Sequence, residues 1–454
     1  MSQKLALIGG GGVRTPMVVF GINESARRID AEELWLYDTD RERLRIMAAL
    51  SEVVVARNDG RLRVRVAHSA EEAVEAAAFV LNSVRVGGIA SRANDERTAI
   101  EHGYPGQETT GPGGVAMALR TIPVALEQAR LVERLSAEAW IVNFTNPAGV
   151  ITQAISAHTG AKVVGICDTP TELFHRIALA LGFPPEEVRC EYVGLNHLGW
   201  VTRVWHGGED KTAELLANDK ALRSLYSASL FEPELIRALG LFPSEYLFFY
   251  YSRRRALKNQ LAAGATRGEE VIRLNEALLR VLSEYLAAGN GAAAYQAYVD
   301  YLNQRSGSYM KLEASAGSAF RGERLQEDPF RAATGYHRIA LEVIEALCQA
   351  EPRRVVVNVR NRGAIDDLPD DDIVETACSI SNRGIMPESR GSLPEAVRGL
   401  VLSVKAYEHA LIEAAVDGSA RTVQKAMLLY PAIGEWEPAG ELLRSLMKEQ
   451  KVWT

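Results

Sequence analysis

Two short stretches of the chain carry side chains that could bind a metal ion. VVGICDTP places Cys167 and Asp168 side by side after an apolar segment, and GLNHLGW presents His197 at a turn. Two ligands do not make a structural zinc site, which needs four. They suit an open site whose metal also binds substrate oxygens. The ordinary alternative is structural, since a free cysteine usually behaves as a small buried hydrophobe.

A glycine-rich stretch, LALIGGGGVRTP, could hold the phosphates of a nucleotide. Glycines permit a tight turn and a close approach to a pyrophosphate, and the helix N-terminus behind them favours negative charge. Gly9 and Gly11 fit the pattern G-x-G-x-x-G, with Gly12 beside them, but the third position is Arg14. Asp38 ends the second strand, where an acid can accept a hydrogen bond from a ribose hydroxyl, which favours NAD over NADP. A tight turn without a ligand is the alternative.

The elements that must position these residues predict an α/β fold. Six apolar segments alternate with helix-length segments in the first part of the chain: KLALIGG, ELWLYDTD, LRVRVAHS, AFVLNSVRV, AWIVNFTNP and KVVGICDTP. Apolar strands separated by helices indicate a parallel sheet covered on both faces, a Rossmann-like, doubly wound domain. Ligands bind such a sheet at the carboxyl ends of its strands, which here also carry Arg85 and Asn146.

Residues 183–454 have a different texture and predict a mixed α+β domain that binds substrate and metal and contributes oligomer contacts. EVRCEYVGLNHLGWVTRVWH alternates and is rich in β-branched and aromatic residues, which predicts two antiparallel strands around a turn at Gly194 to His197. Mostly helical sequence follows, with two more strand segments, RRVVVNVRNRGAI and DIVETACSIS. We expect residues 1–182 to form the NAD-binding domain.

Composition excludes several classes of protein. The 454 residues are 47% hydrophobic and 24% charged, typical of a globular protein. A net charge of −7 argues against a nucleic-acid partner and does not suggest a membrane surface. Four unpatterned cysteines argue against a disulfide framework. The first strand begins almost at once and no apolar run approaches 18 residues, so we expect neither a signal peptide nor a membrane span, and a cytoplasmic location.

Taken together, the motifs resemble glycoside hydrolase family 4, the NAD- and metal-dependent glycosidases. The resemblance runs nearly end to end, through IGGGG, LYDTD, RVGGIASRANDE, GYPGQETTGPGG, NFTNPAG, GICD, GLNHLGW, YLFFYY and AIDDLPDDDIVE. It implies that NAD removes hydride from carbon 3 of the sugar and that a base then removes the proton on carbon 2. Mn²⁺ stabilises the enediolate, the group on carbon 1 is eliminated, water adds and the hydride returns. This family is an exception to the two-carboxylate rule for glycosidases.

The resemblance also implies roles for individual residues. Cys167 and His197 match the ligands of Mn²⁺ or another divalent metal, and Tyr246, the first tyrosine of YLFFYY, matches the base. Asn146 matches a residue that binds sugar hydroxyls near the metal, and Arg267 matches the arginine that grips a 6-phosphate. From the residues alone, Tyr246 is better interpreted as a core aromatic, and Arg267 could equally be a solvated surface residue.

Two further expectations concern substrate contacts and the anomer. Arg85 is expected to contact the cofactor and, with Asn94, the substrate. Asp168 follows the metal cysteine, as in members that cleave 6-phospho-α-glucosides, where this aspartate is taken as the leaving-group acid. GQETTG, NFTNPAG and GLNHLGW look closer to the β-type sequences. We therefore expect a 6-phospho-β-glucosidase; a 6-phospho-α-glucosidase or a glycosidase of non-phosphorylated sugars is the alternative.

Other classes share the predicted fold. A malate- or lactate-type dehydrogenase would need a histidine base beside an acid and no metal, and it would consume NAD. A sugar-sensing protein without activity would not need Cys167, His197 and Tyr246 together. We expect the enzyme to take a phosphorylated disaccharide or glycoside and to form a homodimer or homotetramer.

Overall fold

The computed structural model describes residues 3–58, 60–226, 230–307, 310, 328–332 and 334–450. Strands occupy β1 (Gln3–Ile8), β2 (Ala31–Tyr37), β3 (Arg63–Val66), β4 (Ala77–Asn82), β5 (Trp140–Asn143), β6 (Lys162–Gly165), β7 (Val188–Leu195), β8 (Leu198–His206), β9 (Glu209–Asp210), β10 (Phe242–Pro243), β11 (Arg353–Arg360), β12 (Ile373–Ser381) and β13 (Gly384–Pro387). The first six strands coincide with the six predicted segments.

Helices alternate with the first six strands and dominate the rest of the described chain. The early helices are α1 (Thr15–Ser25), α2 (Arg41–Arg57), α3 (Ala70–Val74), α4 (Gly88–Glu101), α5 (Gly111–Leu135), α6 (Ala148–His158) and α7 (Thr169–Leu181). The later ones are α8 (Thr212–Ala217), α9 (Asp219–Ser224), α10 (Pro233–Leu239), α11 (Phe248–Tyr251), α12 (Arg253–Ala263), α13 (Arg267–Ala287), α14 (Gly291–Gly307), α15 (Tyr336–Cys348), α16 (Glu395–Asp417), α17 (Ala420–Leu429) and α18 (Trp436–Gln450). None of the helices in the described ranges is both long and apolar enough to cross a membrane.

A nine-stranded sheet forms the centre of the fold, in the order β13-β12-β11-β6-β5-β4-β1-β2-β3. The strands from β6 to β3 are parallel, and β11 joins antiparallel beside β6. Along β1, Leu5 and Leu7 face one apolar cluster, whereas Ala6 and Ile8 face the other, so the sheet is buried on both faces. The Rossmann-like α/β fold with a further α+β part is confirmed.

Both halves of the chain contribute to this sheet. Strands β11, β12 and β13 come from residues 353–387 and extend the sheet that β1 to β6 begin. The sheet therefore crosses the expected domain boundary at residue 182, which stays a prediction. A second, small antiparallel sheet has the order β10-β8-β7, with β9 paired to β8. Its β7–β8 hairpin turns at Asn196 and His197, as predicted.

The strand order fixes where a ligand can bind. Strand β1 pairs with β2 on one side and with β4 on the other, so successive crossovers leave β1 in opposite directions. Such a reversal opens a crevice at the carboxyl ends of the strands. The glycine-rich stretch follows β1 at this point, and Arg85 lies just beyond the end of β4.

Candidate active site

A cavity of about 1560 Å³ opens over the carboxyl ends of β1, β2, β4, β5 and β6. Pockets for a single small ligand usually measure about 300–1000 Å³, so this one has room for a dinucleotide and a sugar together. Predicted site residues line it from both halves of the chain: Gly9, Gly11, Gly12, Asp38, Arg85, Asn146, Asp168, Tyr246 and Arg267. The fold thus brings most of the expected residues to one place.

The glycine loop is shaped by its contacts with the two strands beside β1. Gly9 has a φ of +93°, and a Cβ there would overlap the carbonyl of Ser83 beyond β4. The Gly11 N–H donates to Asp38 Oδ2 at 2.9 Å, and a Cβ on Gly11 would lie 2.9 Å from the same oxygen. Asp38 Oδ1 accepts from the Asp40 N–H at 3.0 Å. Each carboxylate oxygen keeps a lone pair that a ribose hydroxyl can use.

Arg14 occupies the position where the dinucleotide pattern has its third glycine. It immediately precedes α1, lines the cavity and places its guanidinium 4.5 Å over the ring of Tyr336. Burial raises the pKa of the Asp168 carboxyl to about 6, and the positive charge of Arg14 opposes that rise. The departure from the glycine pattern thus puts a cation at the end of the nucleotide loop, where its charge acts on Asp168.

Cys167 and Asp168 lie between the end of β6 and the start of α7. The Cys167 side chain is buried, with Sγ 3.4 Å from the Thr169 hydroxyl oxygen. Burial, reinforced by the negative charges of Glu375 and Asp168, raises the pKa of this thiol well above its usual value. A bound metal cation would instead lower the pKa of the thiol, because a thiol that coordinates a metal loses its proton. Asp168 is half-buried and lines the cavity.

His197 is buried in the β7–β8 turn and lies against Tyr246. Its backbone is left-handed, with a φ of +60°, and its Nδ1 lies 2.8 Å from the Thr109 hydroxyl oxygen. Burial lowers the pKa of the imidazole to about 3, against an opposing effect of Glu108. His197 is therefore neutral, the form that binds metals. Tyr246 lies in a 3₁₀ turn, Glu245–Leu247, and is itself only 6% exposed.

Neither expected metal ligand is part of the cavity lining, but each adjoins a residue that is. Cys167 precedes Asp168 in the chain, and His197 contacts the Tyr246 ring. Glu375 on β12 lies near both, since it accepts from the side chain of Asn196, the neighbour of His197, at 3.0 Å and its charge acts on the Cys167 thiol. The described residues contain no group of three or more His, Cys, Asp or Glu side chains that could hold a metal.

Asn146 provides an oxygen at the same site. It lines the cavity, and its Oδ1 is buried without a hydrogen-bond partner among the described residues. A buried acceptor left without a partner costs about 1–3 kcal/mol, so binding of a ligand that donates to this oxygen or coordinates through it is favoured. Mn²⁺ prefers oxygen ligands over a thiolate and an imidazole. Two protein ligands, one amide oxygen and substrate oxygens together suit such a metal.

Arg267 is not the solvated surface residue that was its alternative. It begins α13 and is 9% exposed, with Nη1 2.6 Å from Glu270 Oε2 and Nη2 donating to the Arg305 carbonyl at 3.0 Å. Burial lowers the pKa of the Arg305 guanidinium, and the charges of Arg14 and Arg267 add to that effect, against Tyr301. Three cations therefore lie close together at the cavity, an arrangement that favours an anionic ligand.

Asn94 was expected to contact the substrate, but the structure gives the cavity other residues of the same helix. Arg92 and Glu96 of α4 line it, whereas Asn94 does not. Residues four apart share a face of a helix, and a residue two positions on points to the opposite side. Arg92 is paired with Glu96 at 2.7 Å and with Glu108 at 2.9 Å. The i, i+4 spacing in RANDE could have indicated this pair.

Glu108 is a further site residue that the sequence did not single out. It lines the cavity and pairs with Arg85 at 2.6 Å as well as with Arg92. Burial alone would raise its pKa, but these two arginines hold the pKa of Glu108 far below its usual value. Glu108 is therefore a fixed negative charge that neutralises two cations beside the nucleotide loop.

Comparisons with known proteins agree with this geometry. The model of Family 4 glycosyl hydrolase matches residues 4–183, and that of the Family 4 glycosyl hydrolase C-terminal domain matches residues 192–433. A protein of Bacillus subtilis (strain 168), named "Probable 6-phospho-beta-glucosidase", is 31% identical over 99% of this chain and 97% of its own.

Two solved structures are similar over 100% of this chain and 99% of their own. One is the 6-phospho-β-glucosidase from Thermotoga maritima with manganese, NAD⁺ and glucose-6-phosphate, at a TM-score of 0.81 and 28% identity. The other is a 6-phospho-α-glucosidase from gut microorganisms in complex with NAD and glucose-6-phosphate, at a TM-score of 0.84 and 27% identity. With matching models over both halves, this chain belongs to glycosyl hydrolase family 4.

Proposed function

We propose that this protein is an NAD- and Mn²⁺-dependent glycosidase that hydrolyses 6-phospho-β-glucosides. The observation that carries the proposal is the convergence of three features at one cavity. These are the glycine loop with Asp38, the stacked pair of His197 and Tyr246, and the cluster of Arg14, Arg267 and Arg305. The relatives that bind NAD, Mn²⁺ and glucose-6-phosphate support it.

The cofactor site is assigned to residues around the ends of β1, β2 and β4. The backbone of Gly9, Gly11 and Gly12 would approach the pyrophosphate and Asp38 would accept from the ribose, and Arg85 lines the same cavity. When bound, NAD supplies a reversible hydride acceptor and Mn²⁺ a Lewis acid. The metal is assigned to Cys167 and His197. Asn146, expected from the resemblance to bind sugar hydroxyls near the metal, is assigned to the same place through its buried amide oxygen.

Proton removal from carbon 2 is assigned to Tyr246. Its ring is held in place by His197, and its hydroxyl lies in the field of the guanidinium groups of Arg14 and Arg92. Nearby positive charges favour the ionised form of an acid, which a base requires. Asp168, at the cavity surface, is assigned the protonation of the leaving group.

The substrate's 6-phosphate is assigned to Arg267, together with Arg14 and Arg305. Their charges act on one another, so an anion between them removes mutual repulsion and gains charge-assisted hydrogen bonds. A neutral sugar would leave this repulsion in place. The cluster therefore favours a phosphorylated glycoside over a non-phosphorylated one.

A second candidate is cleavage of 6-phospho-α-glucosides. The observation that favours it is Asp168, which follows the metal cysteine as in α-acting members of the family. Among the relatives found by sequence, those named 6-phospho-β-glucosidase are 29–31% identical to this chain, and those with phospho-α-glucosidase names are 24–25% identical. The two solved structures differ less, at 28% for the β-acting and 27% for the α-acting enzyme. We therefore place the β anomer first.

The test compares four nitrophenyl glucosides: α and β anomers, each with and without a 6-phosphate. With NAD and Mn²⁺, we expect the full-length chain to release nitrophenol fastest from the 6-phospho-β-glucoside, without net formation of NADH. One NADH per glycoside consumed would instead identify a dehydrogenase. Arg267→Gln should raise KM only for phosphorylated substrates, and Arg280→Gln, at an exposed position of α13, should leave every KM unchanged.

A further inference from the structure

We infer that the hydroxyl group of Thr109 fixes His197 in the tautomer that carries its proton on Nδ1, which makes Thr109 a positioning residue for the metal site. The inference rests on the proposed function, in which His197 is a metal ligand. Thr109 belongs to the loop just before α5. It is far from His197 in the sequence, but the fold brings the two side chains into contact.

The contact leaves one ring nitrogen of His197 occupied and the other available. Nδ1 lies 2.8 Å from the Thr109 hydroxyl oxygen, while one ring face is covered by Tyr246. The side chain is 4% exposed, so water cannot readily replace this partner. A metal ligand usually uses one ring nitrogen and donates a hydrogen bond from the other.

The direction of the bond follows from Gln107. Its Oε1 accepts from the backbone N–H groups of Thr109 and Thr110, at 2.5 and 2.8 Å, which identifies that atom as the amide oxygen. The Thr109 hydroxyl oxygen lies 2.9 Å from the same Oε1. Two oxygens this close repel unless a proton lies between them, and only the hydroxyl can supply it.

The hydroxyl has a single proton, and it donates this proton in its hydrogen bond to Gln107 Oε1. Toward His197 the hydroxyl oxygen is therefore an acceptor, and the imidazole donates from Nδ1–H. A neutral imidazole with its proton on Nδ1 has a lone pair on Nε2, and this lone pair is what binds a cation. The hydrogen bonds from Thr109 to Gln107 and from His197 to Thr109 thus leave the lone pair of Nε2 available for a metal already in the metal-free protein.

The first experiment reads the tautomer directly in the full-length wild-type chain. The protein is labelled with ¹⁵N at the histidine rings and freed of metal with a chelator, and His197→Asn assigns the signals of this residue among the eight histidines. We expect a protonated Nδ1 and an unprotonated Nε2. A protonated Nε2 on His197 would overturn the inference. This measurement needs no variant of Thr109.

The second experiment measures Mn²⁺ affinity with NAD present, from the electron paramagnetic resonance signal of free Mn²⁺. Thr109→Val keeps the shape but removes the hydroxyl, and we expect Mn²⁺ to bind ~10–100-fold more weakly, as on loss of other partners of metal-bound histidines. Thr109→Ser should restore the wild-type affinity. Unchanged affinity and an unchanged tautomer in Thr109→Val would overturn the inference.

Thr110→Val is the matched control. Thr110 adjoins Thr109 and its hydroxyl donates to the same Gln107 oxygen at 3.3 Å, but the contact with His197 belongs to Thr109. We expect wild-type Mn²⁺ affinity in Thr110→Val; a loss equal to that of Thr109→Val would refer the effect to the loop and overturn the inference. If wild-type protein shows the expected tautomer but binds no Mn²⁺, the proposed function fails while the tautomer assignment stands.

Discussion

The rings of His197 and Tyr246 lie face to face, with centroids 3.6 Å apart and planes 7° from parallel. One residue lies in the β7–β8 turn and the other in the 3₁₀ turn that follows β10. Strand β10 pairs with β8, so both turns belong to the same small sheet. The proposed metal ligand and the proposed base are therefore packed against each other on one structural unit.

Removing the Tyr246 hydroxyl should cost rate rather than stability. Tyr246→Phe keeps the ring and its stack on His197, so we expect little change in unfolding free energy and a loss of turnover on the order of 10²–10⁴-fold. A substrate deuterated at carbon 2 should exchange its label with solvent in the wild type and not in the variant.

Tyr250→Phe provides the control for that change. Tyr250 belongs to the same aromatic motif, but its hydroxyl bonds to the Tyr430 hydroxyl at 2.9 Å and it does not line the cavity. We expect this variant to exchange the label like the wild type. Exchange that persists in Tyr246→Phe would mean that another residue is the base.

Removal of a proposed metal ligand should abolish Mn²⁺ binding without unfolding the protein. Cys167→Ser replaces a thiolate with a poor ligand, so we expect Mn²⁺ binding and turnover to be lost while circular dichroism stays unchanged. Cys348→Ser, at a half-buried thiol away from the cavity, should retain both. Full activity after exhaustive treatment with EDTA would exclude the metal site altogether.

Asp38 is expected to contribute to the cofactor site in two ways. Asp38→Ala removes the ribose acceptor and the acceptor of the Gly11 N–H, so NAD should bind about 1.5–3 kcal/mol more weakly in calorimetry. Asp38→Asn removes the charge that repels the 2′-phosphate of NADP. The ratio of the affinities for NAD and NADP should therefore be smaller in this variant than in the wild type. An unchanged preference would mean that Asp38 does not face the ribose.

The order of elements could be predicted because each carries a local signal. Cys167 lies two residues beyond the end of strand β6, as the apolar pattern of that strand predicted, and the alternation in β7 and β8 predicted the hairpin that bears His197. The pairing of β11 with β6 could not be predicted in this way. Asn358 and Gly165 are partners across nearly two hundred residues, and nothing in either segment specifies the other.

The site shows the same division. Residues that follow the strands, such as Asp38 and Asp168, were predicted because parallel strands end at one edge of a sheet. Thr109 and Glu375 were missed because their roles exist only through contacts between distant segments. The role of Asn94 stays a prediction: the motif match did not consider helix faces, and the structure places Arg92 and Glu96 of the same helix in the cavity lining instead.

Glu375 gives a prediction about stability and pH. Its carboxylate is 1% exposed and accepts from Tyr192, Asn196 and Asn358 at 2.9, 3.0 and 2.9 Å. Burial raises its pKa from 4.5 to about 7, although these hydrogen bonds oppose the rise. The folded chain therefore binds a proton that the unfolded chain has released between these pH values, and this contribution to stability is lost as the pH rises.

In Glu375→Gln the side chain is neutral at every pH. The variant should therefore not show the loss of unfolding free energy that deprotonation of Glu375 causes as the pH rises. For the metal-free wild type we expect the unfolding free energy to fall between about pH 4.5 and 7, by on the order of 3 kcal/mol from this group. The variant should show a flatter dependence in urea titrations across this range. Glu413→Gln, at an exposed site on α16, should keep the wild-type slope; equal slopes in all three proteins would contradict the assignment.

The proposed role of Asp168 as the acid that protonates the leaving group gives a prediction about pH. As the general acid it must be protonated, and burial raises its pKa to about 6 in the metal-free chain, with a bound cation expected to lower it. With glycosides that have poor leaving groups, kcat/KM should therefore fall as the pH rises through about 6 or slightly below. Activated nitrophenyl glycosides need little protonation, so their pH dependence should lack this step.

Asp168→Asn tests the role because the amide cannot donate a proton to a departing oxygen. Activity on poor leaving groups should collapse, by on the order of 10²–10⁴-fold for the loss of a general acid, while nitrophenyl glycosides are cleaved nearly as before. Equal losses on both kinds of substrate would mean that Asp168 does not protonate the leaving group. It would then support Cys167, whose thiol already responds to its charge, and the adjacent pair would be a metal ligand and the group that orients it.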